Sequence, residues 1–192
     1  MTAPVAPKSS LLGTPPNWSI HPLPLRGPLF LGAMAAYGAA FAGPPYSDGT
    51  RSIEVRERLH GEHSRRPGLR ACCAILPGEE VIGMSYGFRS LRGQPWHEAV
   101  AQEIGFGPAR TWLSNAYELA ELAVMPAYQG FGIGSALIAA LLSGRSERTC
   151  VLSTRADSDA HRLYERLGFE TLATMPFRSG GAPFFVMGKV LP

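Results

Sequence analysis

The chain has 192 residues, 45% of them hydrophobic and 17% charged, which is enough apolar material for one folded unit with a sizeable core and too much for a largely disordered chain. Lys and Arg (18) outnumber Asp and Glu (15), a net charge of +3 that is too small to call for nucleic acid and is compatible with an anionic small ligand. No apolar run reaches the ~18–20 residues that a bilayer span needs.

The N-terminal segment 1–16, with Pro4, Pro7, Pro15 and Pro16 among Ser, Thr and Ala, reads as a flexible leader ahead of a domain over 17–192. Trp18 to Leu23 alternates as a first strand does, and Leu29 to Phe41 follows as a helix that stops before Gly43-Pro44-Pro45. That apolar helix, preceded by Arg26 and ending Ala40-Phe41-Ala42, imitates a signal peptide. Its distance from Met1 and the prolines before it favour a first helix of a cytoplasmic domain instead. Ser52 to His63 reads as a second, more exposed helix. Leu69–Leu76 and Glu80–Phe88 form a hairpin around Pro77-Gly78-Glu79.

Arg89 to Ser114 is a long polar and aromatic segment containing a helix from His97 to Ile104. A strand from Tyr117 to Val124, a helix from Ile133 to Leu142, a strand from Thr149 to Ser153 and a helix from Ser158 to Leu167 come next. Strands Glu170–Met175 and Pro183–Val190 close the chain. Glu118 to Ala123 is composed of helix formers; Pro126 and the glycines beyond favour a strand there.

The chemistry concentrates in Gln129-Gly130-Phe131-Gly132-Ile133-Gly134-Ser135, directly before a helix with Ile133, Leu137, Ile138 and Leu141 on one face. Glycines there let backbone N–H groups converge on an anion beside a helix N-terminus, as a diphosphate seat requires. A dinucleotide fingerprint fails: the residue twenty positions after Gly130 is Cys150, not an acid. A Walker loop fails for want of a lysine.

The segment with Val124-Met125-Pro126 ahead of it resembles the coenzyme-binding signature of the GNAT N-acetyltransferase superfamily. Ala160-His161-Arg162-Leu163-Tyr164-Glu165, ending in Gly168-Phe169, resembles the family's second element. The resemblance implies an α/β (α+β) fold with a mixed central sheet of about seven strands, splayed near strand 117–124 and flanked by about four helices. It implies acetyl-CoA as cosubstrate, no metal, and direct acetyl transfer to a primary amine of a small molecule or peptide. Backbone contacts to the coenzyme fall to Leu122, Ala123, Val124 and the glycine turn, with Ala160 and Asp157 beside it. Asp157 stands where the family often has Asn. Glu118 resembles the general base, and Tyr164 the general acid that protonates the departing thiolate. Glu121, a candidate for the acceptor site, points to the opposite sheet face unless a bulge changes the parity, and which of the two acids is the base stays open, with Glu118 favoured.

Trp96, His97, Glu98 and Trp112 are candidates to line the acceptor site, as aromatics and carboxylates suit a cationic amine. His60, Glu62 and His63 near Cys72-Cys73 lack zinc spacing. The three cysteines, Cys150 included, read as buried thiols rather than nucleophile or disulfide. Arg65, Arg66 and Arg70 read as a solvated face. Nucleic acid and membrane are not expected as partners, and exposed faces around the closing strands offer a surface for a homodimer. Two other readings compete: a non-catalytic acyl-CoA-binding or sensing domain, and a dinucleotide-dependent oxidoreductase.

Overall fold

Strand periodicity dominates the centre of the chain. Val81 to Ser90, β3, is buried at every position but Arg89, because helices cover both of its faces. The computed structural model describes residues 16–48 and 50–192, so nearly all of the expected leader lies outside the described residues. The strands are β1 (Ser19–Pro22), β2 (Arg70–Ile75), β3, β4 (Ala116–Val124), β5 (Thr149–Arg155), β6 (Glu170–Pro176) and β7 (Pro183–Val190). They form one seven-stranded sheet in the order β1-β2-β3-β4-β5-β7-β6, antiparallel throughout except for the parallel β4–β5 pair.

Six α-helices surround the sheet among the described residues, one more than the elements read along the sequence and two more than the about four that the resemblance implies: α1 (Pro28–Phe41), α2 (Arg51–His60), α3 (Pro95–Ile104), α4 (Phe106–Trp112), α5 (Ile133–Leu142) and α6 (Ala160–Arg166). α4 is the unexpected one. Gly105, at φ 81°, separates it from α3. α2 stops three residues early, at Gly61, and a 3-10 turn over His63–Arg65 takes its place. No helix among the described residues is long and apolar enough to cross a membrane.

Two clusters sandwich the sheet. On one face α1 and α2 bury Phe30, Tyr37 and Leu59 against Met84, Tyr86 and Phe88. On the other, α5 and α6 bury Leu137, Leu141 and Tyr164 against Tyr117, Leu119 and Leu152. The apolar segment that imitates a signal peptide is α1, with Phe30, Ala33, Met34, Tyr37 and Phe41 in the first of these clusters. All three cysteines are buried and unbridged.

Two irregularities of β4 shape the site. The register with β3 runs Ser85↔Leu122, Tyr86↔Glu121, then Gly87↔Leu119, leaving Ala120 without an opposite residue. This is a β-bulge, and it reverses the alternation of β4. Gly87 permits the close approach: a Cβ there would sit 2.7 Å from the Tyr117 ring and closer still to the Glu118 carbonyl. Ser85 Oγ donates to the Glu121 carbonyl at 2.7 Å and holds the bulge from behind. On the other edge, the parallel register with β5 is Ala116↔Thr149, Tyr117↔Cys150 and Glu118↔Val151 and stops there, although both strands continue. Beyond Glu118 the strands part and a groove opens.

Candidate active site

The bulge decides where the two acids of β4 point. Without it, residues three apart face opposite sides. With it, Leu119 and Leu122 both face the α5 side, while Glu118 and Glu121 both reach the α1 side. The two carboxylates share one cavity of about 440 Å³, which is also lined by Trp96 and Tyr164.

Their environments differ sharply. Glu121 is surrounded by partners: the Tyr37 hydroxyl donates to Oε2 at 2.7 Å, Arg58 Nη2 donates to Oε1 at 3.2 Å, and Arg51 Nη2 lies 3.6 Å from Oε2. Arg51 Nε donates in turn to the Tyr37 oxygen at 2.7 Å. Burial and the neighbouring Glu121 charge raise the Tyr37 phenol far above its ordinary range, so it stays a donor. Glu118 is 8% exposed, and its Oε2 has no hydrogen-bond partner among the described residues. Burial pushes its carboxyl up to about 8, against a lowering by Arg66.

Tyr164, on α6, is buried edge-on against Phe169 with ring centroids 5.7 Å apart, and it lines both the acidic cavity and the adjoining groove. Burial raises its phenol above the ordinary value, so it is protonated throughout the physiological range.

The groove, about 810 Å³, runs from Leu122 and Val124 past the glycine turn to α6. Gly132 adopts φ 80° and ends the turn at the first residue of α5, and Ala136 is the first to close a helical bond, onto the Gly132 carbonyl at 3.1 Å. The amides of Ile133, Gly134 and Ser135 precede that first closure, as a helix start requires. The Gln129 side chain donates to the Val124 carbonyl at 3.0 Å and braces the end of β4. A Cβ on Gly134 would sit 3.1 Å from Leu163, so its small size lets α5 and α6 approach. Gly130 and Ala160 border the groove, whereas Phe131 packs against the α5-side core and is not among the groove-lining residues. Asp157 borders it too but is no helix cap: it pairs with Arg155 at 2.9 and 2.7 Å, and α6 starts at Ala160 after Asp159.

Of the aromatic and polar candidates in the long middle segment, the cavity takes only Trp96, whose indole Nε1 donates to Ser153 Oγ at 3.1 Å. His97 is turned into the core, where Nδ1 meets Ser90 Oγ at 3.1 Å. Glu98 is exposed and accepts the Gly93 N–H at 2.6 Å. Successive helical residues are rotated by about 100°, so Trp96, His97 and Glu98 cannot share a face. Trp112 covers Gly188 and belongs to the core beneath α3 and α4.

The basic cluster likewise divides. Arg65 is exposed, but Arg70 Nη1 reaches the carbonyls of Ala140, Leu141 and Ser143 at 3.2, 3.0 and 2.6 Å and caps α5. Arg66 lines the cavity. Sequence reasoning did not assign Arg51, Arg58 or Arg66 to the wall, nor Tyr37, which lies behind it in the core and holds Glu121 and Arg51. The spacing of Arg51, Val55 and Arg58 at i, i+4 and i+7 is the one signal that places two arginines on the inner face of α2.

The family model described as an acetyltransferase (GNAT) domain matches residues 94–171. A GCN5-like protein acetyltransferase of Mycobacterium tuberculosis is 32% identical over 179 residues, covering 77% of this chain and 85% of the relative. The crystal structure of PH1933 from Pyrococcus horikoshii superposes with a TM-score of 0.65 at 18% identity, over 92% of this chain and 99% of its own. An aminoglycoside 6'-N-acetyltransferase complexed with coenzyme A superposes with a TM-score of 0.58 at 17% identity, over 91% and 98% of the two chains. The solved structures speak for the fold and the mycobacterial relative for the lineage; this chain belongs to the GNAT acetyltransferase family.

Proposed function

We propose that the protein is an acetyl-CoA-dependent N-acetyltransferase that transfers the acetyl group directly to a primary amine of a peptide or small molecule, with Glu118 as general base and Tyr164 as general acid. The observation that carries this reading is that a buried carboxylate with an unpartnered oxygen and a buried, neutral phenol line one cavity at the point where β4 and β5 part. The groove beside it fits an extended, phosphate-ended arm: main chain of β4 along one wall, and the glycine turn with the start of α5 at its end.

Acetyl-CoA supplies the thioester to be attacked. An alkylammonium with pKa ~10.4 must lose a proton before it is a nucleophile, and Glu118, in the cavity lining, takes it directly or through water. Tyr164 gives its proton to the departing thiolate and recovers one from solvent. Glu121 does not fit the base role: Tyr37, Arg51 and Arg58 already occupy its oxygens.

The test is CoA release from acetyl-CoA with a panel of amines, run on the wild type, Glu118→Gln and Tyr164→Phe, beside thermal stabilisation by CoA. Each variant is expected to lose on the order of 10²-fold or more in kcat while CoA still raises the melting temperature. Unchanged turnover in both variants sinks the catalytic assignment. Stabilisation by CoA with no release for any amine points instead to a sensing domain.

A further inference from the structure

The acidic cavity has more cationic wall than its acid–base pair requires. Arg51, Arg58 and Arg66 line it together with Glu62, Glu118 and Glu121. Arg51 is taken up by Tyr37 and Glu121. Arg58 touches Glu121 through Nη2 at 3.2 Å and leaves its side chain 44% exposed toward the opening. Arg66 lies over the Phe88 ring at 4.8 Å and pairs with Glu62 through Nη2. Its side chain is only 10% exposed, yet Nε is buried with no hydrogen-bond partner among the described residues.

The cavity lining therefore holds a buried donor, Arg66 Nε, and a buried oxygen, Glu118 Oε2, neither with a partner among the described residues. Each group is desolvated without compensation, so a ligand presenting an opposite group to both gains at both ends. The charges point the same way. Burial keeps Glu118 neutral near pH 7 in the empty cavity, and His63, pushed down to about 4 by burial and by Arg58 and Arg66, is neutral too. Three arginines then face two carboxylates. A polycationic acceptor adds to that surplus, whereas an amine with its own carboxylate cancels it.

We infer that the acceptor is an amine that also carries a carboxylate, the nitrogen directed to Glu118 and the carboxylate seated on the guanidinium of Arg66 and the exposed side of Arg58. This rests on the transfer reading above. Planar guanidinium donors suit a carboxylate, and Phe88 fixes the plane of Arg66. Two sources share the chemistry: a free amino carboxylate, and a peptide whose N-terminal residue is acidic.

Matched amines test it. 5-Aminopentanoate is compared with pentylamine, ornithine with putrescine, and an Asp-initiated peptide amide with its Asn-initiated counterpart, by kcat/KM for CoA release. The carboxylate member of at least one pair is expected to win by on the order of tenfold, and Arg58→Gln and Arg66→Gln each to shrink that ratio toward one. Preference confined to the first two pairs assigns a small molecule, and preference confined to the third assigns an acidic peptide terminus. A faster reaction with the carboxylate-free member of every pair, or a ratio unaltered in Arg58→Gln, whose 44% exposed side chain limits the cost to folding, overturns the inference. If no amine releases CoA, the transfer reading fails separately. The seat is then read from melting temperature with CoA present: selective stabilisation by 5-aminopentanoate keeps it, and equal or absent shifts with pentylamine discard it.

Discussion

Tyr37 donates its hydroxyl hydrogen to Glu121 at 2.7 Å, joining the middle of α1 to the bulged strand β4 across 84 residues of sequence. Both groups are buried, and Arg51 closes the set from α2 by donating to the phenolic oxygen. The cavity wall and the hydrophobic core are thereby one structure.

Breaking that link costs stability before it costs chemistry. Tyr37→Phe removes a hydrogen bond to a carboxylate and is expected to destabilise by about 1.5–3 kcal/mol. Glu121→Ala strips the shared partner from a buried set, for which about 3–5 kcal/mol is usual; the low end is expected because Arg58, 44% exposed, can turn to water. Urea denaturation of both variants measures this, and equal stability to wild type refutes the network.

The raised carboxyl of Glu118 has two consequences in pH. As base it must be ionised, so kcat/KM is expected to climb as pH rises through about 8 and Glu118→Gln to lose that inflection. For stability the sign is opposite. The folded state holds the proton that the unfolded chain releases above about 4.5, so the contribution is full below that pH and vanishes as pH rises through about 8. Glu118→Gln should therefore be the more stable protein at pH 9 but gain little at pH 4, as melting curves across that range would reveal.

Gly87 is the hinge of the parity change. A methyl there meets the Tyr117 ring at 2.7 Å and the main chain of Glu118, neither of which can move without moving β4. Gly87→Ala is expected to cost about 1–3 kcal/mol and to lower activity together with stability. Gly83→Ala, 2.9 Å from the Ala123 carbonyl but away from the bulge, is the control; activity lost alike in both, at equal stability, would argue against a special role for the bulge.

Gly134 tests the groove. Its small size matters for the 3.1 Å approach to Leu163, and the groove passes directly over it. Gly134→Val is expected to raise KM for acetyl-CoA by on the order of tenfold or more and to reduce the melting-temperature gain from CoA. An unaltered CoA response would remove the turn from the coenzyme site.

The glycine turn, α5, the β2–β3 hairpin and the closing strands were legible because local rules govern them: Gly78 and Gly132 take positive φ, and α5 carries its apolar face every third or fourth residue. Even β4, a run of helix formers, could be read from Pro126 and the glycines beyond it. The middle segment was less legible. His97 and Glu98 were expected beside Trp96, but one helical turn separates what faces the cavity from what faces core and solvent.

The sequence by itself determined the order of the strands and of every helix but α4, the glycine turn before α5 and the family resemblance, since each depends on residues within about ten positions of one another. Only the tertiary structure decided that Glu118 and Glu121 share a face, that Glu118 Oε2 has no partner among the described residues, that Arg51, Arg58 and Arg66 complete the wall, and that Tyr37 braces it from the core. Those outcomes depend on a single unpaired residue, Ala120, in the register of two strands and on the packing of α1 and α2 over them, neither of which is encoded in any local stretch of chain.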